Sequence, residues 1–157
     1  LSALLLHELK KFVERATDHL QFGEPAKKVN IHLGWLPIKE APKGEISPSK
    51  PPRIPDSEFP YVIIRVMDGE DRMESGSVQV KFLLGVKSQD GNAYMDILHL
   101  KETIRQALLR TEIVGDKFEL QRPLKWTLFE EQPYPEWFGE IITTWTVPTV
   151  LREVRYE

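Results

Sequence analysis

The sequence predicts an α+β domain: a mainly antiparallel sheet packed against two helices, with one long proline-rich loop. Three observations predict it. Two segments, one at the start of the chain and one near residue 100, repeat apolar residues at helical spacing. Six further segments alternate, or run in branched and aromatic residues, as strands do. Only one of the helices lies inside the strand series, whereas a doubly wound parallel sheet needs a helix between successive strands. At 157 residues the chain has the length of one domain, taken here as 1–157, and can bury about two thirds of its unfolded surface.

The first element is the helix "LSALLLHELKKFVERATDHL". Leu5, Leu9, Phe12, Ala16 and Leu20 form a stripe widened by Leu6 and Val13, while Glu8, Lys11, Glu14, Arg15 and Asp18 take the wet side. Gly23 and Pro25 stop it. "VNIHLGW" alternates as a strand, with Val29, Ile31, Leu33 and Trp35 on one side. "YVIIRV" and "SVQVKFLLGV" read as antiparallel neighbours joined by the charged turn "MDGEDRMESG". The second helix lies in "QDGNAYMDILHLKETIRQALLRTEIVG". Asp90 or Asn92 caps it, its face is Ile97, Leu100 or Lys101, Ile104, Leu108 and Thr111 with Ala107, and Gly115 ends it. The strands "KFELQ", "LKWTLFEE" and "WFGEIITTWTV" follow, the last two joined around "QPYPE" as a hairpin with a longer turn than the tight kind. Both helices are expected on one face of the sheet.

Between the first two strands lies "KEAPKGEISPSKPPRIPDSEFPY", which holds six of the twelve prolines. Proline at this density removes backbone donors and forbids a helix or an inner strand. Residues 39–60 are therefore expected to form an extended or mobile arm that gains order against a neighbour. Ile46, Ile54 and Phe59 are its few apolar anchors.

Composition narrows the function. The formal charge is 21 − 24 = −3 with no basic tail, so direct binding of duplex nucleic acid is not expected. Cysteine is absent, which excludes disulfides and thiolate metal sites. No apolar run approaches the roughly 18 residues of a membrane span, so no membrane partner is expected. The leucine-rich start is broken by Glu8, Lys10 and Lys11 and lacks a small-residue cleavage site, unlike a signal peptide. The chain opens on Leu1 rather than Met, and a few preceding residues are expected.

Phosphate-loop, dinucleotide, serine-hydrolase and zinc-protease motifs are missing, and the four histidines are scattered. His99 follows Asp96 by one helical turn, which permits an oriented general base and hence a hydrolase; the commoner meaning of such a pair is a solvated helix face. His32 at a strand edge could be a ligand or a base, but with Ile31 and Leu33 beside it the commoner meaning is a half-exposed strand. Asp68, Glu70, Asp71 and Glu74 offer oxygen ligands to a hard cation, but their spacing departs from the calcium-loop pattern and Arg72 sits among them. The reading is a solvated acidic turn. No cofactor and no metal are expected.

The final hairpin is rich in aromatic rings: Trp126, Phe129, Tyr134, Trp137, Phe138 and Trp145. Glu130, Glu131, Glu136 and Glu140 surround them, which argues against a stacking groove for single-stranded nucleic acid. In "WFGEIITTWTV", Trp137, Ile141 and Trp145 share one face, while Phe138 and Ile142 share the other. One face suits a core and the other asks for a partner, where aromatics are enriched. The candidate interface is Trp126, Phe129, Tyr134, Trp137 and Phe138, with Ile46, Ile54 and Phe59. A binding module that grips a peptide or glycan is the alternative, and predicts a cleft lined by Trp126, Trp137 or Trp145.

The order of elements adds a resemblance. The segments "FPYVIIRVMDGED", "SVQVKFLLGVKSQDG", "AYMDILHLKETIRQALLR" and "LKWTLFEEQPYPEWFGEIITTWTVP", behind an amphipathic first helix, resemble the tail terminator and tail completion (head–tail joining) proteins of long-tailed bacteriophages across residues 1–148. The resemblance implies a structural virion protein without catalytic residues. It further implies a homo-oligomeric, hexameric ring on the tail tube protein that offers a surface to the head–tail connector protein. Assembly would take place in the host cytoplasm and the product would reside in the virion tail. The longer proline-rich stretch leaves room for another tail or neck protein of the same architecture.

Overall fold

The computed structural model describes residues 1–23, 25–36 and 54–153. Helix α1 spans Ser2–Thr17 and buries Leu5, Leu9, Val13 and Thr17, a row spaced by four residues that keeps to one face. Thr17 reaches the core because its Oγ1 donates to the Val13 carbonyl at 2.8 Å. The helix ends three residues before the predicted Leu20, which is buried beyond it. A two-residue ribbon follows, β1 (Gln21–Phe22) against β2 (Lys27–Lys28). Strands β3 (Asn30–Leu33), β4 (Tyr61–Asp71), β5 (Gly76–Lys87), β6 (Ile113–Val114), β7 (Phe118–Leu128) and β8 (Glu136–Val147) form one sheet in the order β3-β4-β5-β8-β7-β6. Helix α2 (Ala93–Thr111) connects β5 to β6.

Every pairing in that sheet is antiparallel except β3 with β4, which run parallel with Asn30 opposite Tyr61 and Leu33 opposite Ile64. A parallel pair needs a crossover of a dozen or more residues, because the chain must return to the end where it started. The proline-rich connection is that crossover, and it is longer than four paired residues require.

Both helices cover one face. Leu5, Leu9 and Val13 of α1 and Ile97, Leu100, Ile104 and Leu108 of α2 share a cluster with Val62, Ile64, Val80, Phe82, Leu84, Ile141 and Trp145 of the central strands. Inside it, the Trp145 indole donates to Thr143 Oγ1 at 2.8 Å, and that hydroxyl donates to the Val80 carbonyl at 2.9 Å. The buried indole is thereby satisfied.

The opposite face carries a second cluster: Phe59, Tyr61 and Ile63, with half-buried Leu36, Ile54, Leu83 and Phe138 against them. Gly85 makes room for it, since a Cβ there would stand 2.4 Å from the Tyr61 ring. A 3-10 turn, Asp56–Glu58, leads into this cluster. Asn30 Nδ2 donates to the Glu58 carbonyl at 3.0 Å, His32 Nε2 lies 3.1 Å from Glu58 Oε2, and Lys87 pairs with Asp56. The end of the proline-rich segment, residues 54–60, is therefore folded onto its own sheet, which corrects the arm boundary drawn at residue 60. The rest of that segment, with Ile46, lies outside the described residues.

Three further boundaries differ from the reading of the sequence. "KFELQ" and "LKWTLFEE" are one strand, β7, whose register with β8 slips between Gln121 and Lys125, around Pro123. Proline has no N–H to give, and the strand absorbs it as an irregularity. Strand β4 runs through Asp71, so Asp68, Glu70 and Asp71 are paired strand residues opposite Gln79, Ser77 and Gly76. Helix α2 stops at Thr111, where Glu112 turns to a φ of 61° and its N–H reaches the Leu108 carbonyl, before Gly115. Thr111 is correspondingly exposed.

Candidate interaction surface

The turn between β7 and β8 is a preorganised tip. Gln132 uses its whole amide to close it: Nε2 donates to the carbonyls of Phe129 at 2.6 Å and Phe138 at 2.9 Å, and Oε1 accepts from the Phe138 N–H at 2.7 Å. Tyr134 spans to the start of α2 by donating its hydroxyl to the Gln89 carbonyl at 2.7 Å. The Ser88 N–H bonds the Pro135 carbonyl at 3.1 Å. The tip is thus tied to the loop before α2 by contacts distant in sequence.

Large apolar side chains are displayed on this frame. Tyr134 is 67%, Trp126 45% and Phe129 41% exposed. Trp126 is braced from beneath by Lys101, which is only 3% exposed and whose Nζ sits 3.6 Å from the ring centroid. That geometry is a cation–π contact. Lys101 also donates to Glu102, and this hydrogen bond holds the Glu102 carboxyl below its ordinary range. Trp137 is half-buried and meets the Tyr94 ring at 5.6 Å. Tyr94 and Met95 are exposed at the start of α2, and Tyr94 carries the aromatic rings of the hairpin onto that helix. Neither was among the residues predicted from sequence. The available signal is that both fall off the Ala93–Ile97–Leu100 stripe of their helix yet are large and apolar.

The remaining predicted anchors divide between the two faces. Phe138 is half-buried on the face away from the helices, 6.1 Å from Phe59. Phe59 is 3% exposed and Ile54 half-buried, so both serve the chain's own second cluster. Phe59 was expected to anchor a neighbour, and that expectation is corrected: the apolar face of Phe138 is covered by the end of the crossover. Burial pushes the Tyr61 phenol in this cluster well above its ordinary value, with the Glu136 charge adding to the effect.

The sites weighed for chemistry are dispersed. His99 is exposed and meets Phe22 edge-on at 6.0 Å, and among the described residues no hydrogen bond links it to Asp96. Burial raises the Asp96 carboxyl, nearby Asp90 adds to this, and His99 opposes it. A cavity of about 210 Å³ lies between the β1–β2 ribbon and the 3-10 turn and is lined by Phe22, Lys27, Asp56, Phe59, Lys87 and Ser88, among others. Neither His99 nor Asp96 lines it. In the acidic hairpin, Glu70 pairs with Arg72 at 3.4 Å and Asp71 accepts from Thr149 at 3.3 Å. Among the described residues no three histidines or carboxylates converge as a metal site, and no helix is long and apolar enough to cross a membrane. Comparison with protein-family models and with curated proteins gave no match.

Proposed function

We propose that this chain is a structural virion protein: a subunit that forms a ring, of hexameric order, capping the tail tube of a long-tailed phage and presenting the surface the head connector joins. The observation that carries the reading is the exposure of Trp126, Phe129 and Tyr134 on the braced final hairpin, with exposed Tyr94 beside Trp137. Large apolar patches on a soluble domain mark association sites. Aromatic rings held rigidly lose little entropy on docking. The order of elements, which resembles the tail terminator proteins, supplies the choice of assembly. A module gripping a peptide or glycan is less well supported, because Trp145 is fully buried and neither Trp126 nor Trp137 lines a described cavity.

The experiment is co-sedimentation with purified tail tubes of the same phage. The chain should pellet with tubes and appear at their ends in electron micrographs, and Trp126→Ala with Phe129→Ala should abolish this. Failure to pellet at any concentration, with the chain folded, would count against the tail reading.

A further inference from the structure

We propose that the β7–β8 tip of one copy docks into a groove between α1 and α2 of a second copy, in a head-to-tail contact. This rests on the ring reading and names the two surfaces that would build the ring. The groove, about 280 Å³, has a floor of Phe12, Ala16 and Ala107 and is rimmed by Arg15 and Arg110. Alanines at the helix contact leave a recess that larger side chains would fill. Neither arginine has an ion-pair partner among the described residues. The acids nearest in sequence are engaged elsewhere: Glu14 with Lys10, Asp18 with Lys28, and Glu112 with Arg122.

The tip has the matching chemistry. Phe129 is an exposed ring, and Glu130 and Glu131 beside it are exposed and form no ion pair among the described residues. A ring flanked by two carboxylates complements an apolar floor flanked by two guanidinium groups, which bind carboxylates well. One copy cannot make this contact with itself. The tip is tied to Gln89, before the start of α2, and the groove lies near its end. Tyr94 and Ala107 are separated by roughly 20 Å along the helix at 1.5 Å per residue. Two different patches at opposite ends of one helix produce a heterologous interface, which closes into a ring when the rotation permits.

The test is a charge swap followed by sedimentation velocity across a concentration series. One variant carries Arg15→Glu and Arg110→Glu; the other carries Glu130→Arg and Glu131→Arg. All four side chains are exposed, so far-UV circular dichroism spectra should match the wild type and report an intact fold. Each variant alone should self-associate at least about tenfold more weakly, because like charges then face each other. An equimolar mixture should recover the assembly, since every alternating junction is complementary. Undiminished association of either variant, or a mixture that stays dissociated, overturns the proposal. So does a wild type that remains monomeric throughout. Tail-tube co-sedimentation separates the two claims: variants that assemble like wild type and still pellet with tubes leave the tail reading standing while this contact fails.

Discussion

Phe59→Ala and Phe129→Ala remove the same ring from two residues that the sequence places together as interface anchors, and the structure predicts unlike outcomes. Phe59 is 3% exposed, 5.3 Å from the Tyr61 ring and 6.1 Å from Phe138. Truncating a buried phenylalanine costs about 3–5 kcal/mol through lost transfer energy and the cavity left behind. The second cluster is a single layer with half-buried Leu36 and Ile54 at its edge, so the surroundings can collapse partway, and the low end, about 3 kcal/mol, applies. For a domain of this size, 1 kcal/mol moves Tm by about 2–4 °C, which gives a drop of roughly 6–12 °C. Phe129 is 41% exposed, and its truncation should cost less than about 1 kcal/mol. Urea unfolding followed by tryptophan fluorescence, with the m-value required to stay constant, measures both. If Phe59→Ala costs less than about 1 kcal/mol, or no more than Phe129→Ala, the end of the crossover is not part of the fold and the reasoning fails.

Thr143→Val keeps the shape but leaves the buried Trp145 indole without its acceptor, and should lower stability by about 1–3 kcal/mol in the same unfolding assay. Glu102→Gln tests the brace beneath Trp126. The folded-state carboxyl titrates below its unfolded value, so its contribution is complete above the unfolded value and lost as pH falls through the folded one. The variant should thus be less stable than wild type at pH 7, and the difference should close toward pH 3; a difference that persists in acid contradicts the pairing with Lys101. Gln132→Ala, which frees the two carbonyls and the N–H that close the tip, should speed amide exchange at Phe138 while leaving the exchange of Val80 and Phe82 unchanged.

Local pattern carried most of the architecture. The alternation of Val78, Val80, Phe82, Leu84 and Val86 marks a strand with one core face, and each is buried as the period requires. In "WFGEIITTWTV" the same period separates Trp137, Ile141 and Trp145 from Phe138 and Ile142, and the sheet places them on opposite faces. The helical stripes behaved alike, with Leu5 and Leu9 buried as expected, although Val13 and Thr17 displace Phe12 and Ala16 from its centre. What local pattern lacks is pairing. The parallel partnership of β3 with β4 joins residues on either side of the crossover, and no nearby signal specifies it. The same distance hides the role of Phe59, whose proline-rich neighbours suggest an arm while its ring meets Phe138 far along the chain. The candidate interaction surface was half legible for a related reason: Trp126, Phe129 and Tyr134 announce themselves by composition. Tyr94 joins it only once α2 is set beside the hairpin and its ring meets Trp137.

The central claim is that this chain assembles with itself into a closed ring, and negative-stain electron microscopy of the purified protein tests it most directly. Micrographs taken alone and with tail tubes should show annular particles built from 18.2 kDa subunits, free in solution or seated on tube ends, with a uniform subunit number in class averages. Fields holding only particles of monomer size under both conditions would contradict it.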